Sequence, residues 1–211
     1  MKRTALIIAL VISLASCKNN KKADATTVAK EAESSTTAPS EQQKADTTLL
    51  TDTLDWSAVP ELKNIGNYPF FKAPEGLQIE NAKDGLSEVF DYEKMQNYLG
   101  KGTYTTEGKL GLMNFAGAGD KDFNQKWFDK NIFEDIAKMG AKELYKGKFP
   151  EDEASRQKLR ENMWNGKHRT MGLGDDEPFA VYAFKNNGKK YIFNIQSNSA
   201  QGSIFLMELK P

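Results

Sequence analysis

The sequence predicts an α+β domain: a mainly antiparallel sheet of five or six strands with two helices packed on one face, preceded by a disordered tether. Three observations carry this. Short runs rich in β-branched and aromatic residues recur between Gly and Asn-Gly breaks. Two stretches with helical periodicity interrupt them. Residues 18 to 53 contain no aromatic residue, and the density of Trp, Phe and Tyr rises abruptly at Trp56.

From Trp56 to Pro211 lie about 155 residues, a usual size for one domain. Pro60, Pro69 and Pro74 break its first part into extended and turn structure. Tyr68, Phe70 and Phe71 surround Pro69, which reads as a rigid segment plugging its rings into the core. Gly102–Gly108 and Lys109–Phe115 read as two strands, with Gly100, Gly102, Gly108 and Gly111 as bends or a bulge.

A helix follows over roughly 122–139. Phe123, Trp127, Ile132, Ile136 and Met139 recur at spacings of three to five, and Phe128 and Phe133 broaden the stripe. Asp122 with Gln125 fits a capping box, and Gly140 fits the C-terminal stop. Ala141–Phe149 alternates as a strand does. Pro150, Glu151, Asp152 and Glu153 open a second helix to about Trp164, with Leu159 and Met163 as its apolar stripe. Residues 165–177 form a polar, Gly-rich loop. Phe179–Phe184 and Tyr191–Ile195 flank Asn187-Gly188, a strong hairpin signal because both central residues need positive φ. Gly202–Leu209 is the last strand.

The first residues carry an address. Lys2 and Arg3 precede Ala5–Ser16, which is apolar apart from two serines. A run of about 12 residues falls short of the roughly 20 that span a bilayer, but matches a secretory signal peptide. It ends in Leu14-Ala15-Ser16-Cys17, and Cys17 is the only cysteine. This tetrapeptide resembles the lipobox of bacterial lipoproteins. The resemblance implies that the Cys17 sulfur is joined to a diacylglycerol, that residues 1–16 are removed, and that the new amine is acylated. Two or more acyl chains hold a protein to a bilayer stably where one does not.

Removing Lys2 and Arg3 lowers the 29 basic residues to 27 against 29 acidic ones, which leaves no electrostatic footprint for nucleic acid. With Cys17 acylated, no thiol remains for a disulfide or a nucleophile. Residues 18–53 are rich in Ser, Thr, Ala, Lys, Glu and Gln and cannot bury enough apolar surface to order themselves. Such a tether has an r.m.s. reach of about 30–36 Å. The organisation expected is therefore a signal peptide over 1–16, acylated Cys17 and a linker over 17–55, and a single α+β domain over 56–211.

Little in the domain points to catalysis, and no cofactor or metal is expected. His168 is the only histidine, lies between Lys167 and Arg169, and has no nucleophile elbow beside it. One histidine cannot build a multi-histidine metal site. Asp120, Asp122 and Asn124 are spaced like the start of a calcium loop, but Gln125 stands where Gly is needed and Asn131 where Glu is needed. Helix capping explains them better. Asp175, Asp176 and Glu177 read as a charged loop, and Glu151, Asp152 and Glu153 as a helix start. Gly117–Gly119 and Gly172–Gly174 lack a full phosphate-binding pattern.

Gly66-Asn-Tyr-Pro-Phe-Phe-Lys-Ala-Pro-Glu-Gly76 and Asn187-Gly-Lys-Lys-Tyr-Ile-Phe-Asn-Ile-Gln-Ser-Asn-Ser-Ala-Gln-Gly-Ser-Ile204 with Met207-Glu208 bracket most of the domain. They resemble the ends of an N-terminal module found in the outer-membrane protein A family of Gram-negative envelope proteins. In that family the module precedes a peptidoglycan-binding domain, which is expected to be missing here because the chain stops at Pro211. The resemblance implies no catalytic residues. Lys18-Asn-Asn-Lys-Lys22 differs from the acidic signal of surface-exported Bacteroidetes lipoproteins, and position 18 lacks the Asp of inner-membrane retention in enteric bacteria. The expectation is a membrane-anchored, non-catalytic envelope lipoprotein on the outer membrane facing the periplasm, binding an envelope protein or polymer. The alternative is a carrier of a small or lipidic ligand between sheet and helices.

Overall fold

Strands dominate the computed structural model, which describes residues 50–51, 53–163 and 176–211, all within one compact unit over residues 45–211. The elements are β1 (Leu50–Thr51), β2 (Leu77–Ile79), β3 (Glu88–Tyr98), β4 (Gly102–Gly117), α1 (Gln125–Met139), β5 (Lys142–Gly147), α2 (Glu153–Met163), β6 (Phe179–Asn186), β7 (Lys189–Ser197) and β8 (Gly202–Leu209). A single 3-10 turn covers Trp56–Ala58. The domain is α+β, with seven strands joined antiparallel and the two-residue β1 parallel to β4, rather than five or six.

β4 is the spine. The expected pair of strands over 102–115 is one continuous strand of 16 residues. The strand runs through Gly108 and Gly111, although its ladder with β3 slips register opposite Gly108–Leu110, and a Cβ on Gly108 would meet the backbone of Glu208. One edge of β4 pairs with β3 and β2, and the other with β8 and β1. From β8 the sheet continues through β7 and β6 to β5. β2 and β3 follow the Pro-rich first part, in a stretch to which the sequence reading assigned no element. The pairing of β1 with Gly102 and Thr103 also carries the sheet back into the segment assigned to the linker.

The β6–β7 turn forms as expected, with Asn187 at φ 51° and Gly188 at φ 75°. Alternation along these strands sends successive side chains to opposite faces. Tyr191, Phe193 and Ile195 join one core cluster, and Ile192 joins the other. The first cluster lies under α1, which inserts Phe128, Ile132 and Ile136, and under the segment holding Leu62, Phe71 and Leu86. The second gathers Met95, Leu110, Val181, Ile192, Phe205 and Met207, together with Leu159 of α2. The two helices therefore bury into opposite faces of the sheet, not one.

The sheet curls around the second cluster. β3 and β5 stand at opposite ends of the strand order, yet Tyr98 meets Tyr145 with ring centroids 5.3 Å apart. Tyr98 also packs on Phe149 at 5.4 Å and Phe179 at 6.3 Å. Side chains thus seal the seam of a strongly coiled, barrel-like sheet, and the aromatic residues fill its interior.

α1 starts later than expected. Asn124, not Asp122, is the N-cap, accepting from the Trp127 amide at 3.0 Å. Its buried stripe is Phe128, Ile132 and Ile136, spaced by four, while Trp127 is 39% exposed and donates Nε1 to the Glu75 carbonyl. Gly140 ends the helix at φ 83°, as expected.

Candidate functional site

One cleft combines opposite charges, a hydroxyl, an amide and apolar walls. It encloses about 340 Å³ between α1 and the ends of β5, β6 and β7, and is lined by Asp129, Phe133, Lys146, Pro178, Phe179, Ile195, Gln196 and Ser197. That volume is near the lower end of ligand pockets, which run roughly 300–1,000 Å³.

Local folding places each group. Asp129 and Phe133 are one helical turn apart on α1, flanking the buried Phe128–Ile132 stripe. Lys146 points to the α1 face of β5, since its register partner is Ala180, whose methyl belongs to the cluster under α1. Ser197 closes β7 opposite Gly202, and Gln196 pairs with Phe179 where β6 begins.

A chain of hydrogen bonds holds the polar side. Gln125 Nε2 donates to the Ser197 carbonyl and to its Oγ, both at 3.1 Å. Ser197 Oγ donates in turn to Asp129 Oδ1 at 2.7 Å. Gln196 Nε2 donates to the Glu177 carbonyl at 3.0 Å. Lys146 Nζ sits 4.1 Å from the centroid of the Phe133 ring, a cation–π contact. Partial burial raises the Asp129 pKa, opposed by the Ser197 bond and the Lys146 charge. No other hydrogen bond reaches the Asp129 carboxylate among the described residues.

The arrangement can bind, orient and exchange hydrogen bonds. Ser197 Oγ directs its proton at the Asp129 carboxylate, and no histidine lies beside it among the described residues.

The residues singled out in the sequence fall elsewhere. Cys17, the lipobox, the linker up to residue 49, His168, Gly172–Gly174 and Asp175 lie outside the described residues. Asp120 and Asp122 are exposed in the turn before α1. Asp152 caps α2 by accepting from the Ser155 amide at 2.8 Å, and Asp176 pairs with Arg156 at 2.7 Å. Gly117 ends β4 against the Lys121 backbone. Among the described residues no group of three or more His, Cys, Asp or Glu is placed to hold a metal ion. The sequence reading missed the cleft, since Asp129, Lys146 and Ser197 belong to no motif and meet only through the fold.

The Pro69 segment does plug the core. Phe71 is buried, and Phe70 packs edge to face on Phe184 and Tyr191 at 5.2 and 5.1 Å. The Tyr68 hydroxyl is buried without a hydrogen-bond partner among the described residues, and burial raises its pKa strongly.

Fold and cleft define a class: a curled, mainly antiparallel sheet with a helix on each face and a cleft beside one of them. No family model matches the chain, and no curated protein is similar to it.

Proposed function

We propose that this protein is a lipid-anchored, non-catalytic lipoprotein of the Gram-negative envelope, whose domain binds another envelope protein or polymer. The observation that carries the anchor is Leu14-Ala15-Ser16-Cys17 at the end of a short apolar run behind Lys2 and Arg3. The post-cysteine residues Lys18–Lys22 favour the outer membrane, facing the periplasm. The resemblance to the outer-membrane protein A family module supports the binding role. No helix among the described residues is long and apolar enough to cross a membrane.

A second reading, carriage of a small ligand, is favoured by the cleft between α1 and the sheet. A large lipidic cargo is not favoured, because Phe179, Phe205, Met95 and Met207 occupy the interior of the curl.

The anchor is tested by labelling cells with a palmitate analogue and fractionating membranes. The native chain should carry label and pellet with the outer membrane, while Cys17→Ala should lose the label and become soluble. Persistent pelleting of unlabelled Cys17→Ala would overturn the anchor. Crosslinking in cells tests the partner, and the absence of any reproducible adduct would overturn the interaction role.

A further inference from the structure

We infer that the cleft between α1 and the ends of β5–β7 binds one or two units of a neutral saccharide, an inference that rests on the binding-module reading and assigns it a ligand class. The argument is electrostatic first. Asp129 and Lys146 bring one charge of each sign to a cavity of about 340 Å³. A cationic ligand drawn to Asp129 would be repelled by Lys146, and an anion drawn to Lys146 would be repelled by Asp129. Asp129 is half-buried, so its charge is screened by water less than that of the exposed Lys146. A ligand with no charged group escapes both penalties.

Hydrogen bonding narrows the class. Asp129 can only accept while ionised, and Lys146 can only donate. A ligand must therefore both donate and accept within a few ångströms, as adjacent hydroxyls do. Asp129 is prepared for this: Ser197 holds Oδ1, itself fixed by Gln125, and the other oxygen takes no hydrogen bond among the described residues. Its partial burial makes a new donor worth more than at the surface, since a charge-assisted hydrogen bond offsets desolvation already incurred.

The walls supply the rest. Ile195, Pro178, Phe179 and Phe133 give apolar surface to the C–H faces of a sugar ring. A purely apolar ligand would strip water from Asp129 and Lys146 without replacing it.

The test uses full-length acylated protein in a detergent without sugar headgroups. Saturation-transfer difference NMR is recorded with maltose and N,N′-diacetylchitobiose, and with cadaverine and glutarate as charged probes. At least one saccharide should receive saturation, and neither charged probe should. Asp129→Ala and Lys146→Gln should each weaken saccharide binding by about tenfold or more, as expected for losing a hydrogen bond to a charged group. Lys146→Gln lies on an edge strand and keeps the fold testable if Asp129→Ala unfolds. Binding of cadaverine or glutarate alone would overturn the saccharide assignment while leaving a binding module intact. Silence from all four probes would overturn the cleft as a saccharide site, whereas loss of in-cell crosslinks would overturn the module itself.

Discussion

Tyr98 and Tyr145 meet edge to face, centroids 5.3 Å apart, although their strands stand at opposite ends of the sheet. No backbone ladder joins β3 to β5, so this contact, with Phe149 and Phe179 behind it, closes the curl. The Tyr98 hydroxyl donates to the Gly100 carbonyl at 2.6 Å, and a Cβ on Gly100 would lie 2.9 Å from the Tyr145 ring. Turn and ring are thus fitted to one another. Tyr98→Ala should cost about 3 kcal/mol or more, as large-to-small changes at buried aromatics do. Tyr98→Phe should cost only about 1 kcal/mol, the worth of its hydrogen bond. A double-mutant cycle with Tyr145→Ala, read by urea unfolding, should show coupling of roughly 0.5–1.5 kcal/mol. Additive effects would mean that the seam is held by other contacts.

Inside the curl, Asn97 and Asn194 form a polar island in the second cluster. Asn194 Nδ2 donates to Asn97 Oδ1 at 2.9 Å, and Asn97 Nδ2 donates to the Tyr104 carbonyl at 2.9 Å and to Thr106 Oγ1 at 3.2 Å. Both asparagines are at most 1% exposed, and Asn194 Oδ1 has no partner among the described residues. Asn97→Leu would leave the Asn194 amide only its long contact to Met95 Sδ, while Thr106 keeps its bond to the Met95 carbonyl, at a cost of about 2 kcal/mol. Replacing both asparagines by Leu removes donor and acceptor together, so the double variant should be more stable than the sum of the single effects. Chemical denaturation of the three variants measures this directly.

The Asp129 carboxyl sets a pH dependence. Its folded pKa is raised above the ordinary aspartate value, chiefly by burial. The folded state therefore holds this proton more tightly than the unfolded chain. Its contribution to stability is present below the unfolded pKa and is lost as pH rises through the folded pKa. Asp129→Asn keeps an oxygen to accept from Ser197 and removes the charge. Thermal unfolding between about pH 3 and pH 7 should show the variant gaining on the native protein as pH rises and standing at least as stable at the upper end. A variant that loses ground with rising pH would mean that the Lys146 attraction outweighs desolvation.

Elements with local signals were legible in the sequence, and those fixed by distant partners were not. Asn187-Gly188, Gly140 and the β6, β7 and β8 runs carry their own chemistry and formed where expected. β2 and β3 were not legible because most of Glu88–Lys94 is exposed or half-buried, so the strand is held by its ladder to β4 rather than by an apolar pattern. Most of the expected α1 stripe faces the core; only Trp127 turns outward, because hydrophobicity alone cannot say which of two adjoining rings, Trp127 or Phe128, faces the sheet. The cleft was illegible for a further reason. Asp129, Lys146 and Ser197 are ordinary surface residues by type, and only the pairing of β5, β6 and β7 under α1 brings them together.

Gly202 links fold and cleft, and gives the last prediction. It opens β8, paired with Ser197 on one side and Phe115 on the other. A Cβ there would lie 2.6 Å from the Phe128 ring, closer than carbon atoms pack, and that ring is wedged against Phe115 at 5.0 Å and Phe123 at 5.5 Å. Phe128 cannot retreat without moving α1. Gly202→Ala should therefore destabilise the domain by about 1–3 kcal/mol, the usual cost of overpacking. Displacing α1 should also lengthen the Ser197–Asp129 bond, because Asp129 follows Phe128 directly on the helix and Ser197 faces Gly202 across the ladder. Phe128→Leu in the Gly202→Ala background removes ring volume at the point of collision and should restore part of the loss. Denaturation midpoints of the single and double variants test the first effect, and Asp129 titration followed by carboxyl-carbon NMR tests the second. A titration unchanged by Gly202→Ala would mean that the cleft tolerates movement of its helix.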